Sequence, residues 1–239
     1  MGVTRLFCGT LEPGEVSLAA EEARHGVAAR RLREGDRVVL FDGRGGEAEA
    51  TLVRATSTEA VARIEAIRRV ERRGLRRLTL AVAMPKQARQ DTLIEKCTEL
   101  GVAAMRPIET ERTVAEVGKG RLERWRRVAI AAAKQSGQAW LPEFAAPASL
   151  TEVLRDVPRF DLAVVADPGA GAEGLLGVLG RLSDARSVLA LVGPEGGFTE
   201  GERQRMLAAG AVPCRVAAST LRVETAAIAA AAIILAPHA

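Results

Sequence analysis

Runs of apolar and polar positions change their rhythm near residue 72. Before it, short apolar runs between polar and glycine-rich turns predict strands at Arg37–Phe41, Glu47–Ala55 and Glu59–Ile67. Glu34-Gly35-Asp36 and Asp42-Gly43-Arg44-Gly45-Gly46 supply the turns. One helix, Ala19–Leu32, is predicted among them, with Glu21 and Glu22 early and Arg30 and Arg31 late, as the helix dipole favours. Several strands with one helix suggest a small β-barrel-like module. It carries no visible catalytic set, which favours an accessory binding role.

The stretch Arg68-Arg69-Val70-Glu71-Arg72-Arg73-Gly74-Leu75-Arg76-Arg77 reads first as a solvated linker and marks a boundary near Arg72. Arginines beside a hinge can also reach phosphates without reading sequence. From Leu78 onward, strands alternate with helices. Strands are predicted at Leu78–Ala83, Met105–Ile108, Leu162–Ala166, Val188–Val192 and Val212–Ala217. Helices are predicted at Asp91–Leu100, stopped by Gly101, and at Gly120–Ser136, Thr199–Ala209 and Glu224–Leu235. The alternation argues for a mostly parallel α/β sheet, whose ligands bind beyond the carboxyl ends of the strands. That rule places Ala166–Asp167, Gly193–Gly197 and Ala217–Arg222 along one edge. The glycine-rich Pro168–Gly174 follows the first of these.

Composition narrows the chemistry. The 239 residues carry a formal charge of +4, mostly through arginine, which permits a polyanionic partner without requiring one. Tyr and Asn are absent and Phe and Trp are few, so a base-stacking platform is not expected. Three cysteines, Cys8, Cys97 and Cys214, lie far apart and suggest neither a zinc site nor a disulfide framework. Two histidines, His25 and His238, are too few for a metal constellation or a histidine-centred triad, and each is read as a surface or structural residue. The most apolar segment, Ala226–Leu235, is too short to span a bilayer and suits a buried, tightly packed helix. No charged-then-apolar leader is visible at the start, and a cytoplasmic protein is expected.

The candidate chemistry centres on Leu189–Glu202. Strand Val188–Val192 breaks at Gly193-Pro194, two further glycines follow, and Thr199 with Glu202 has capping-box spacing for the next helix. Strand, glycine loop and helix together let backbone N–H groups approach a ligand; a tight βα connection with no ligand is the plainer alternative. The loop lacks the Gly-Lys-Ser/Thr of a phosphate-binding loop and the Gly-x-Gly-x-x-Gly spacing of a dinucleotide site. Glu195 within it would repel phosphate, so a cationic or zwitterionic ligand fits better. A second cluster, Ser219-Thr220-Leu221-Arg222-Val223-Glu224-Thr225-Ala226, precedes the final helix and reads either as a site or as a capped helix with a local ion pair.

Gly193-Pro194-Glu195-Gly196-Gly197-Phe198 followed by Leu221-Arg222-Val223-Glu224-Thr225-Ala226 resembles the RsmE family. These are SPOUT-class methyltransferases that modify N3 of a uridine in 16S ribosomal RNA, with m3U1498 as the family product. Glu95-Lys96-Cys97-Thr98-Glu99-Leu100-Gly101-Val102, Glu111-Arg112-Thr113 and Lys134-Gln135-Ser136-Gly137-Gln138 resemble further family elements in the same order. Leu32-Arg33-Glu34-Gly35-Asp36 and Phe41-Asp42-Gly43-Arg44-Gly45 are similar to its N-terminal PUA-like domain. Gln138 stands where the family commonly has arginine. Ala217–Thr220 is less glycine-rich than the family loop and lacks its arginine, and the histidine-rich start of the N-terminal helix is reduced to His25.

The resemblance implies an α/β protein with a PUA-like RNA-binding β-barrel in residues 1–72. Residues 73–239 would then form a SPOUT methyltransferase domain with a deep trefoil knot. It implies a homodimer that binds S-adenosyl-L-methionine and acts on 16S ribosomal RNA in the assembled small subunit, with no metal and no membrane. The cofactor residues would be Ala166, Leu191, Gly193, Pro194, Glu195, Gly196, Gly197, Ala217, Ala218, Ser219 and Leu221, with Ile228 adding to an apolar wall. Glu195 or Glu224 would accept the N3 proton and Arg222 would stabilise the developing negative charge; both carboxylates can equally be structural. Arg5, Arg112, Arg124 and Arg127 are the candidate RNA contacts. Two other classes stay open: a non-catalytic ribosomal-RNA-binding protein of the same fold, and a nucleotide-dependent α/β enzyme, which the missing phosphate motifs disfavour.

Overall fold

A computed structural model describes residues 3–28, 30–72, 74–113, 120–167, 169 and 172–236. The side chains of His25, Gly26 and Ala28 lie outside that description, as do His238 and, within the glycine-rich stretch, Pro168, Ala170 and Gly171. The chain forms two compact units: Met1–Arg72 with Ile130–Leu141, and Arg73–Ala129 with Pro142–Ala239.

The first unit is built on a five-stranded sheet of β1 (Thr4–Phe7), β2 (Gly14–Ser17), β3 (Arg37–Phe41), β4 (Gly46–Ala55) and β5 (Ala60–Arg69), in the order β1-β3-β4-β5-β2. Only β1 and β3 run parallel; the other pairs are antiparallel. Leu6, Val38, Leu40, Ala48, Ala50, Leu52 and Ala62 alternate inward to form its core. The helix expected over Ala19–Leu32 is helical over residues 20–28 and again at Arg30, but its Glu22–Ala28 part is wound as a π-helix. Arg31 adopts φ 55°, and Leu32 N–H closes on the Val27 carbonyl at 3.0 Å, so Arg30 is still helical while Arg31 lies past the helix end. Glu22 is buried rather than facing solvent: it accepts from Phe7 N–H at 3.2 Å and pairs with Lys134.

Segment Ile130–Leu141 completes this unit. Trp140 donates its indole N–H to the Val70 carbonyl at 2.8 Å and lies beneath the guanidiniums of Arg69 and Arg72. Leu141 N–H reaches the Gly43 carbonyl, and a Cβ at Gly43, where φ is 73°, would come within 2.7 Å of the Leu141 side chain. The Asp42–Gly46 turn therefore owes its glycine to close packing as well as to backbone conformation.

The second unit is a parallel sheet with helices on both faces. Its strands are β6 (Arg77–Val82), β7 (Ala104–Glu109), β8 (Glu143–Phe144), β10 (Leu162–Ala166), β11 (Glu173–Gly174), β12 (Ser187–Val192) and β13 (Val212–Arg215). They run in the order β11-β13-β10-β12-β6-β7-β8, while β9 (Ala148–Ser149) pairs with β7. The helices are α1 (Gln87–Leu100), α2 (Arg121–Ser136, shared with the first unit), α3 (Leu150–Leu154), α4 (Leu175–Arg181), α5 (Glu200–Ala208) and α6 (Val223–Leu235). Gly101 ends α1 at φ 85°. One sheet face buries Leu189, Leu191, Val165, Phe198 and Met206 with α3 and α5. On α6, Ala227, Ala230, Ala231 and Ile234 are buried, and the small side chains let the helix lie close to α1, β6 and β12.

Candidate functional site

Parallel register brings three strand ends level. Ala166 at the end of β10 is opposite Val192 of β12 on one side and Cys214 of β13 on the other. The segments that follow therefore leave the sheet side by side. They enclose a cavity of about 300 Å³ lined by Ala166, Asp167, Val192, Gly193–Phe198, Val216, Ala217, Ser219–Leu221, Val223 and Ala226, with Arg203 from α5. Of the cofactor residues expected from sequence, Ala166, Gly193, Pro194, Glu195, Gly196, Gly197, Ala217, Ser219 and Leu221 line it. Leu191 does not: it is fully buried in the core on β12, and the adjacent Val192 forms the cavity wall. Ala218 is exposed and outside the lining. Strand β13 stops at Arg215, two residues earlier than expected, which frees Val216 and Ala217 to face the cavity.

The glycine loop is held in one shape. Gly197 N–H bonds to the Pro194 carbonyl at 2.8 Å, and Gly197 itself has φ 68°. At Gly193 a Cβ would stand 2.9 Å from the buried Phe198 ring, so the ring packs directly on the backbone. Thr199 and Glu202 form the expected capping box at the start of α5. Glu202 is 1% exposed, and its other oxygen accepts Glu111 N–H at 2.9 Å. Arg112 donates to the Gly196 carbonyl at 2.7 Å, and Arg205 pairs with Glu111. The Glu111-Arg112-Thr113 element thus braces the glycine loop from outside.

Charged groups sit around this loop. Asp167 accepts from Gly169 N–H at 3.0 Å and from Arg203 Nε at 2.6 Å, fixing the only cation among the described residues of the cavity wall. Neither residue was singled out as a site residue from sequence, although the strand-end rule points to Asp167. Arg89, on the first turn of α1, was also missed. Its Nη1 lies 3.7 Å from Glu195 Oε1 and its Nε 3.6 Å from Glu224 Oε1, so it stands between the two candidate proton acceptors. Glu224 is 9% exposed and its Oε2 is buried without a partner among the described residues, whereas Glu195 is about half exposed. Arg222 is exposed at the N-cap of α6 and its side chain caps nothing.

The four arginines expected to touch RNA differ in how committed they are. The Arg5 side chain is 15% exposed; it pairs with Glu47 at 2.6 Å, donates to the Gln138 carbonyl at 3.0 Å and lies over Phe41. Its guanidinium belongs to the interior of the first unit, which removes it as an open phosphate ligand. Arg112 is occupied by Gly196. Arg124 makes a two-pronged pair with Asp91. Arg127 is exposed.

All three cysteines are free and buried, and burial pushes the Cys97 and Cys214 thiols up to about 12. Thiolate nucleophiles are therefore not supplied by these two at neutral pH. Among the described residues, no cluster of His, Cys, Asp or Glu could hold a metal ion, and no helix is long and apolar enough to cross a membrane.

Residues 72–235 match the RNA methyltransferase domain family, and residues 18–65 match the RNA methyltransferase PUA domain family. The ribosomal RNA small subunit methyltransferase E of Bacillus subtilis is 31% identical over 219 residues, covering 88% of this chain and 85% of its own. That of a Synechocystis strain is 32% identical over 212 residues, covering 88% of this chain and 69% of its own. Among solved structures, a ribosomal RNA small subunit methyltransferase E from Neisseria gonorrhoeae bound to S-adenosyl methionine superposes with a TM-score of 0.86. It is 29% identical, with 97% of this chain and 96% of that one covered.

Proposed function

We propose that this chain, which belongs to the ribosomal RNA small subunit methyltransferase E family of RNA methyltransferases, methylates N3 of a uridine in 16S ribosomal RNA with S-adenosylmethionine as donor. The observation that carries this reading is the cavity at the strand ends, where Gly193–Phe198 faces Ser219–Leu221. Its residues fit the donor. Glycine at 193 and 197 brings backbone to the cavity surface, Val192 and Leu221 give an apolar wall, and the Asp167–Arg203 pair offers charge of both signs to a zwitterion. When bound, S-adenosylmethionine supplies an electrophilic methyl group on a sulfonium.

The chain's own residues have two tasks: to place the acceptor and to take its proton. Placement contributes a large share of the rate in a displacement of this type. Glu195 or Glu224 accepts the N3 proton, and Arg222 faces the negative charge that develops on the uracil ring.

Residues 73–239 act as a SPOUT domain whose C-terminus forms a deep trefoil knot. Support comes from the path of α6, which leaves β13 beside β10 and returns to β6 and β12 past the glycine loop. Residues 1–72 act as a PUA-like, barrel-type RNA clamp, supported by the five-stranded sheet and the PUA-domain match. The working form is a homodimer in the cytoplasm, and its substrate is the assembled small subunit.

The test is methyl transfer to small subunits from cells lacking this gene, with nucleosides mapped by mass spectrometry. Formation of 3-methyluridine at one position is expected, and Gly196→Val, whose bulk would meet Arg112, should abolish it together with cofactor binding. Binding of ribosomal RNA without methyl transfer would leave the non-catalytic reading instead. Normal methylation after deletion of the residues before Leu78 would remove the clamp.

A further inference from the structure

Arg89, which meets Glu195 of the cavity wall, and Glu224 behind it make little use of their hydrogen-bonding capacity among the described residues. Glu224 is on the first turn of α6, whose Val223 and Ala226 line the cavity, and its Oε2 is buried with no donor among the described residues. A carboxylate oxygen left this way is costly, and a native fold keeps few of them. Arg89 lies within ion-pair range of Glu224 and Glu195, at 3.6 and 3.7 Å, but beyond hydrogen-bond distance of both. Among the described residues, no hydrogen bond takes up its guanidinium N–H donors. Arg222 stands two residues before Glu224, exposed and uncapping. Arg89 therefore sets a donor beside a buried acceptor.

Uracil presents the complementary order along its pairing edge: O4 accepts, N3–H donates and O2 accepts. Cytosine presents an amino donor and two acceptors, so a carboxylate in the central place would meet a lone pair on N3. Enzymes that act on a single base commonly read this edge by hydrogen bonds after the base leaves its stack.

We propose that Arg89 and Glu224 read the pairing edge of the target uracil. The Glu224 carboxylate accepts from N3–H, and Arg89 donates to a flanking ring carbonyl as the specificity-determining residue. This rests on the proposed function and deepens it, because it selects Glu224 over Glu195 as the proton acceptor. In the proton step the N3–H bond breaks, the proton joins the Glu224 carboxylate and the bonding pair stays on N3. Negative charge passes from the carboxylate to the ring carbonyls, and Arg89 is already beside the group that loses it. Glu195 holds Arg89 from the opposite side and is a positioning residue.

The experiment uses the full chain with assembled small subunits carrying either uridine or cytidine at the target position. Binding is measured in the presence of S-adenosylhomocysteine, alongside kcat, melting temperature and S-adenosylmethionine affinity. The unchanged protein should bind the uridine subunits at least tenfold tighter. Arg89→Ala should lose most of that preference and 10²- to 10³-fold in kcat, with cofactor Kd within about twofold. Arg89→Lys, which keeps the charge without the fork, should recover part of both losses. Glu224→Gln should lower kcat 10²- to 10⁴-fold while the fold and cofactor affinity persist.

Wild-type rates in Arg89→Ala and Glu224→Gln would overturn the proposal. So would loss of stability or cofactor binding in both with the uridine preference intact, since that outcome makes the set a tie between α1 and α6. If the unchanged protein transfers no methyl group, the proposed function fails, and the uridine-over-cytidine binding ratio still decides this inference.

Discussion

Glu202, in the first turn of α5, accepts the backbone N–H of Glu111 at 2.9 Å across 91 residues of sequence. Its second oxygen accepts Thr199 N–H at 2.8 Å, so a single buried carboxylate both starts the helix after the glycine loop and docks the end of β7 against it. Glu202→Ala removes the capping box and leaves two N–H groups without acceptors. The cap contributes about 1 kcal/mol and each stranded donor costs about 1 kcal/mol or more. We expect a loss of roughly 2–4 kcal/mol in urea unfolding with the slope unchanged. A loss below about 0.5 kcal/mol would mean that water replaces both bonds.

Glycines around the cavity should differ sharply. Gly193→Ala places a methyl 2.9 Å from the Phe198 ring, which is packed in the core and cannot swing away. Its S-adenosylmethionine affinity should fall by at least about tenfold by calorimetry, the equivalent of ~1.4 kcal/mol. Gly197→Ala keeps open space but forces a side chain onto φ 68°, at a cost of about 1 kcal/mol, and should weaken binding less. Gly201→Ala meets nothing within 4 Å and lies inside α5, so it should leave affinity unchanged and raise stability slightly. An equal effect from all three would show that side-chain packing does not shape the loop.

Acid sensitivity of the first unit should trace to Glu47. This residue is 4% exposed and takes Arg5 at 2.6 Å and Arg68 at 2.7 Å. Burial by itself would raise its pKa, but hydrogen bonds from Arg68 and Arg5 and their charges outweigh that and hold it below the ordinary 4.5. A depressed carboxylate contributes stability above its unfolded pKa and loses it as pH falls through the lower folded value. Glu47→Gln should therefore be less stable at pH 7 and flatter in stability from pH 5 downward, measured by urea unfolding at a series of pH values. Parallel curves for the two proteins would assign the acid sensitivity elsewhere.

Sequence reasoning succeeded where the signal is local. Leu162–Ala166 is a strand with the expected bounds, and Thr199 with Glu202 caps α5 as its spacing requires. The three loops meet because parallel strands end level, a consequence of topology that alternating strands and helices already imply. What escaped depends on distant packing. Periodicity marks Leu191 and Val192 as apolar but cannot say which one faces the cavity. Arg5 reads as a free cation until Glu47, 42 positions away, is found paired to it. Arg89 sits in a helix whose sequence shows no reason to look toward Glu195 and Glu224. Ile130–Leu141 joins the first unit through Trp140 and Leu141, whose partners Val70 and Gly43 lie on strand ends or turns far upstream.

Arg112 offers a choice between two roles that one variant can separate. Its Nη1 donates to the Gly196 carbonyl at 2.7 Å, and its Cδ would stand 3.3 Å from a Cβ at Gly196, so the arm lies along the back of the loop. A hydrogen bond from a charged donor contributes more than a neutral one, yet this side chain is exposed and water competes for it, leaving about 1 kcal/mol. Arg112→Ala should raise the S-adenosylmethionine Kd about fivefold, since ~1 kcal/mol corresponds to that ratio. Arg112→Lys should restore little, because an ammonium on a straight stem cannot repeat the side-on reach of the guanidinium. A phosphate contact predicts a different pattern: unchanged cofactor affinity, weaker subunit binding and a shallower dependence of that binding on salt. Calorimetry with the cofactor alone, followed by subunit binding at two salt concentrations, decides between loop brace and phosphate ligand.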